Sequence, residues 1–124
     1  MVEDDELVRY LVGANLERNH FFVLEAGDAD NALAVSHAFP GKIDVLLADV
    51  TLPGLSGCDL ATLMQSARPD IVVLLMSGLA VECMPAKPTV AFIQKPFTAE
   101  SLMNQIQAAL KAHCEHVPHA EHRN

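Results

Sequence analysis

The chain has 124 residues and a formal net charge of −8, with 8 Lys and Arg against 16 Asp and Glu. That length suits one domain, able to bury about two-thirds of its unfolded surface without disulfides or metal staples. The scattered basic residues exclude a nucleic-acid footprint; the absence of a basic segment leading into an apolar one, and the shortness of every apolar run, exclude a leader and a membrane span and point to a soluble cytoplasmic protein.

Val2 is all that stands for a strand before the acids Glu3, Asp4 and Asp5. A helix is predicted over residues 5–17, with Leu7, Val8, Leu11, Val12 and Leu16 on one stripe and Glu6, Arg9 and Glu17 outside it. Residues 21–26 are dense in aliphatic and aromatic side chains without strict alternation, the pattern of a strand buried on both faces. A second helix follows over residues 29–39, capped by Asp28 or Asp30 and stopped at Pro40-Gly41. The run 43–48 reads as another buried strand and ends at Asp49. After Gly57 a third helix spans residues 58–67 and stops before Pro69; the apolar run 71–76 then leads into Ser77. In residues 79–89, Pro85 and Pro88 limit any helix to one or two turns. A last strand over 90–93 closes at Gln94-Lys95-Pro96, and a last helix from Thr98 carries Leu102, Met103, Ile106 and Leu110.

Alternating strands and helices imply right-handed crossovers and a doubly wound parallel sheet with helices on both faces. The C-terminal ends of such strands form one rim, where open α/β sheets place ligands. Asp49, Ser77 and Lys95 would all stand on it. A carboxylate at a buried strand end costs several kcal/mol unless it is paired or bound to metal, on the order of magnitude of ion desolvation. Lys95 and the acidic cluster provide both remedies. The domain is read as residues 1–112, with 113–124 a polar, His-rich tail.

At this point the chain resembles the receiver domain of two-component response regulators. The resemblance rests on an ordered set: Val2-Glu3-Asp4-Asp5; Asp49 followed by Pro53 and Gly57; Met76-Ser77-Gly78; and Phe92-Ile93-Gln94-Lys95-Pro96-Phe97-Thr98. It implies a flavodoxin-like five-stranded sheet of order 2-1-3-4-5, here with a short first strand and a short fourth helix. It further implies that Asp49 takes a phosphoryl group from a histidine kinase or a phosphotransfer protein, switching the binding of a downstream protein. Mg²⁺ would be held by Glu3, Asp4, Asp49 and the Thr51 carbonyl, in the oxygen-rich shell that ion requires. Asp4-Asp5 is the alternative acidic pair; Glu3-Asp4 leaves Asp5 at a helix N-terminus, where acids are favoured. Lys95 and Ser77 would contact the phosphoryl oxygens, Gly78 would let the main chain approach them, and Ser77 with Phe92 would form the switch. The family's Lys-Pro peptide bond, here before Pro96, is cis. Thr51 and Leu79 stand where the family tunes water attack, and neither is an acid or amide, so slow self-dephosphorylation is expected. Such a domain is a signalling switch rather than an enzyme with an external substrate.

Two features depart from the family. Only Met1 and Val2 precede the acids, so either the start is misassigned or truncated, or strand one is very short and its neighbours compensate by rearrangement or dimerisation; the shortened 79–89 crossover shifts partner binding toward the last helix. These favour a second reading, a phosphorylation-independent interaction module on the same fold. An aspartyl phosphohydrolase would need an acid where Thr51 stands, and a flavin phosphate would be repelled by Glu3, Asp4 and Asp5. Cys58, Cys83 and Cys114 form no C-x-x-C pair and read as reduced thiols. His113, His116, His119 and His122 recur at every third position, yet Pro118 breaks any common helical face and no metal motif is matched.

Overall fold

The computed structural model describes residues 1–78 and 90–116, with side chains as far as Ala112. Its elements are α1 (Glu6–Arg18), α2 (Ala29–Ala38), β1 (Val45–Asp49), α3 (Gly57–Ala67), β2 (Val72–Ser77), β3 (Val90–Gln94) and α4 (Ala99–His116). Each helix start has a chemical cause. Asp5 caps α1 by accepting from the Leu7 and Val8 amides, Asp28 caps α2 through the Asn31 amide, and Ser56 caps α3 through the Asp59 amide. The Thr98 hydroxyl accepts from the Ser101 amide at the head of α4. At the far ends of α2 and α3, Arg68 donates to the Ser36 hydroxyl and to the carbonyls of Ser36, Phe39 and Gly41, joining the two helices through one fork.

The three strands pair in parallel in the order β1-β2-β3, with Val45 opposite Val72 and Val73 opposite Val90. Val2 extends the sheet as single parallel bridges, to Ala48 on one side and Ala26 on the other. The segment around Ala26, then Val2, then β1, β2 and β3 therefore keep the order 2-1-3-4-5, but the first two members are reduced to one bridge residue each. The strand expected over residues 21–26 is thus a correction: among the described residues of that run only Ala26 forms a bridge, to Val2.

Pleating separates two cores. Leu46, Ala48, Val73 and Leu75 pack with Ala29, Ala32, Leu60 and Met64 under α2 and α3, whereas Leu47, Leu74 and Met76 pack with Val12, Leu16, Leu102 and Ile106 under α1 and α4. β2 is buried along its whole length, consistent with its unalternating aliphatic run.

At the N-terminal edge of the sheet, residues 21–24 and 43–45 part around a cavity of about 240 Å³ lined by Met1, Leu16, Phe21, Val23, Leu47 and Ile106 among others. The ladder stops there. Alternate residues of a parallel strand face alternate neighbours, so the next groups turned toward the gap are Leu47 N–H and Val45 C=O on one side, Leu24 N–H and Phe22 C=O on the other. None has a main-chain partner among the described residues.

α1 also differs from its predicted stripe. Val12 and Leu16 are buried and Val8 half-buried, but Leu7 and Leu11 are 66% and 55% exposed. The inward line runs at i, i+4, i+8, and Leu7 and Leu11 lie one position behind it, turned outward with Tyr10. Cys58 is disulfide-bonded, against the expectation of three reduced thiols, since spacing along a chain carries no information about distance between Cβ atoms. The 79–89 crossover and the short fourth helix expected in it, Cys83, and tail residues 117–124 lie outside the described residues.

Candidate functional site

β1 ends by delivering Asp49 to the rim, where its neighbour in register is Met76. Its carboxylate is nearly enclosed and held from two directions: Lys95 Nζ donates to Oδ2 at 2.6 Å and the Thr51 amide to Oδ1 at 2.9 Å. Gly57 makes this turn compact. Its amide donates to the Val50 carbonyl at 2.8 Å, and a Cβ in its place would collide with the Asp49 carbonyl.

Val2, pinned between Ala26 and β1, delivers Glu3 and Asp4 to the same rim. Glu3 is 1% exposed, yet its carboxylate is satisfied, Oε1 by Lys95 at 3.0 Å and Oε2 by the Asp5 amide at 3.1 Å. Asp4 is exposed. Ligand oxygens from Glu3, Asp4 and Asp49 lie within 4.8 Å of one another. Asp5 has turned away to cap α1, so of the two candidate acidic pairs the geometry gathers Glu3-Asp4 with Asp49.

Lys95 follows β3 directly, and its own amide donates to the Ser77 carbonyl at 2.7 Å. The Lys95-Pro96 peptide bond is cis. Burial works to lower the Lys95 pKa, but the hydrogen bonds it donates to Asp49 and Glu3 and their charges outweigh it, and the net direction is upward. Three carboxylates against one ammonium leave a local formal charge of −2. An all-oxygen donor set with that charge fits a hard divalent cation such as Mg²⁺. Ser77 is buried at the end of β2, Gly78 is exposed beside it, and a Cβ on Gly78 would meet nothing within 4 Å. Phe92 is half-buried opposite Leu75 and packs on the α2/α3 core. Thr51 is exposed, and Leu79 lies outside the described residues.

One contributor escaped the sequence reading. Arg9, expected on the outer face of α1, is half-buried and donates to the Glu3 carbonyl at 2.6 Å. Its only sequence signal was a cation in the second turn after the acids.

Fold and site together define a doubly wound α/β module with an acidic, lysine-gated rim. The chain belongs to the response regulator receiver domain family, whose description matches residues 1–107. It is similar to a cyclic di-GMP phosphodiesterase of Thermotoga maritima, 31% identical over 94% of this chain and 32% of that protein, and to the probable transcriptional regulatory protein TcrX of Mycobacterium tuberculosis, 30% identical over 90% and 48%. The chain thus spans at most about half the length of these two curated relatives. Among solved structures, the receiver domain of the hybrid histidine kinase CckA superposes with a TM-score of 0.77 at 29% identity, covering 88% of this chain and 94% of that one. A receiver protein of Sinorhizobium medicae WSM419 superposes with a TM-score of 0.81 at 19% identity, over 90% and 92%, which speaks for the fold. Members of this family are signalling modules that work with histidine kinases and downstream effectors. No helix among the described residues is long and apolar enough to cross a membrane.

Proposed function

We propose that this domain is a phosphoacceptor, taking a phosphoryl group from a phosphohistidine donor onto Asp49 and altering its affinity for a downstream protein as a result. The observation that carries the reading is the Asp49 carboxylate itself, fixed on both oxygens at the rim beside Glu3, Asp4 and Lys95. An Asp49 oxygen attacks phosphorus in line as the P–N bond to the donor imidazole breaks. The bonding pair leaves on the imidazole nitrogen, which takes up a proton, and an acyl phosphate remains. Lys95 moves with the transferred charge, exchanging its bond to Asp49 for one to a phosphoryl oxygen. Ser77 and Gly78, at the end of the neighbouring strand, offer a hydroxyl and a main-chain amide to the other oxygens. Glu3, Asp4, Asp49 and the Thr51 carbonyl would hold Mg²⁺, which would supply positive charge to offset repulsion between carboxylate and phosphoryl group. Movement of Ser77 toward the phosphate opens the space into which half-buried Phe92 changes rotamer, carrying the signal to the surface.

The donor protein docks on α1. Leu7, Tyr10 and Leu11 are 66%, 69% and 55% exposed at i, i+3, i+4 spacing, and this apolar stripe starts one turn from Asp4. A helix-bundle donor laid on it would bring its phosphohistidine over the rim.

Intact mass after incubation with Mg²⁺ and acetyl phosphate tests the reading against Asp49→Asn. A single phosphoryl adduct on the native chain alone is expected. No adduct on a chain whose circular dichroism shows the fold intact would overturn it in favour of a phosphorylation-independent interaction module.

A further inference from the structure

Arg9 performs a task at the site that neither the ladder nor the acidic cluster performs. Its guanidinium folds back from the second turn of α1, and NH1 meets the Glu3 carbonyl at 2.6 Å while Nε stands 3.9 Å from Glu25 Oε1. A Cβ on Gly27 would come within 3.1 Å of the same NH1, so the cation is seated against the main chain of the 25–27 turn. One side chain therefore ties the start of α1, the end of the first strand and the turn beyond Ala26.

The place it grips matters. The Glu3 carbonyl belongs to the planar peptide unit that joins Glu3 to Asp4, so holding that oxygen restrains ψ of Glu3 and φ of Asp4, the backbone torsions on which the placement of both side chains depends. Elsewhere this strand is short: its bridge to Ala26 consists of the Glu3 amide's bond to the Ala26 carbonyl and the Ala26 amide's bond to the Met1 carbonyl, and among the described residues no main-chain bond to a neighbouring strand is made by the Glu3 carbonyl itself. We propose that Arg9 is a positioning residue that holds the Glu3-Asp4 peptide in the orientation that lets both carboxylates converge with Asp49 on a divalent cation. The proposal rests on the phosphoacceptor reading for its purpose, though not for its geometry. Its planar, permanently charged fork can engage carbonyl and carboxylate together, which an ammonium does less well.

Electrostatics and positioning predict opposite signs, which makes the idea testable. Removing a cation beside an acidic site should tighten Mg²⁺ binding by Coulomb's law alone; losing the clamp should weaken it. Mg²⁺ affinity is to be measured by calorimetry on native chain, Arg9→Ala and Arg9→Lys, alongside urea unfolding and the rate of adduct formation from acetyl phosphate. Arg9→Ala should bind Mg²⁺ about tenfold more weakly, in the range seen when residues supporting metal ligands are removed. Arg9→Lys should recover part of the loss, and adduct formation by Arg9→Ala should recover when Mg²⁺ is raised to saturation. Unchanged or tighter binding by folded Arg9→Ala would overturn the proposal. Should that variant fail to fold, Arg9→Lys decides: it keeps the charge but not the fork, so Coulomb's law predicts no change whereas loss of the clamp should weaken binding about twofold to threefold, on the scale of one exposed ion pair, and unaltered affinity would refute the clamp. A native chain that binds Mg²⁺ in an Arg9-dependent way yet accepts no phosphoryl group would end the phosphoacceptor reading while leaving the clamp standing.

Discussion

Lys95 is bonded to Asp49, so under the proposed function the lysine has two opposed effects at one site. It neutralises charge that would otherwise attract a cation, and it stands ready for the charge that transfer brings. Lys95→Met should therefore bind Mg²⁺ several-fold more tightly, because the three carboxylates are left uncompensated, while its adduct formation from acetyl phosphate slows at least tenfold, the loss of about 1.4 kcal/mol of transition-state stabilisation. Calorimetry and intact mass on one variant would reveal both signs. Gly57 makes a different residue-scale demand. Its Cβ position is filled by the main chain at Asp49 and Val50, which cannot swing aside as a side chain does. Gly57→Ala should lower unfolding free energy by about 1–3 kcal/mol, the range of overpacking, read as a shifted urea midpoint with unchanged slope.

Among elements, legibility followed burial and caps. β2 and the heads of α1 and α2 could be placed from an aliphatic run and from Asp5 and Asp28, because those signals are local, whereas the Ser56 cap of α3 was not read from the sequence. The run 21–26 looked equally strand-like, yet pairing is a property of two segments, and its partner is one residue long. Arg9 and the disulfide at Cys58 were illegible for the same reason, since both depend on what tertiary folding brings near. The broken ladder carries an element-scale prediction. Fusing three or four apolar, β-prone residues ahead of Met1 would present main-chain partners to Leu24 and Leu47 and fill the cavity between them. The midpoint of thermal unfolding should rise by about 4 °C or more, one kcal/mol in a domain of this size. Exchange of the Leu24 and Leu47 amides should slow, and a Gly-Ser fusion of equal length should do neither. α1 supports another: Tyr10→Glu should impair transfer from a phosphorylated donor protein and leave labelling by acetyl phosphate unchanged, because only the former uses the apolar stripe.

At the scale of the whole molecule, two titrating groups with shifted pKa values among the described residues sit at opposite ends of the sheet and affect stability in opposite senses. The Met1 ammonium donates to the Leu24 carbonyl at the closed end of the broken ladder, where burial pulls its pKa from 8.0 down to about 6 against the partial support of Glu25. A lowered pKa means that the unfolded chain holds the proton more tightly. Between pH 6 and 8 the unfolded state therefore binds more protons, and stability rises with pH across that window, by on the order of 2 kcal/mol for a shift of this size. Lys95 has the reverse sense. Its pKa is raised by Asp49 and Glu3 despite burial, so its contribution is whole below the ordinary lysine value and disappears as pH climbs through the raised one. Of these two groups, the Met1 amine makes stability rise from pH 6 to 8, and the Lys95 contribution is lost only above that window. Urea unfolding at pH 6, 7, 8 and 9 should show midpoints climbing over the first three. The apolar fusion ahead of Met1 replaces the ammonium with an amide that cannot titrate, so its midpoints should change less over the same interval. The difference between the two chains isolates the amine from every histidine they share. Parallel curves for the two would mean that the α-amino group is solvated in the folded protein.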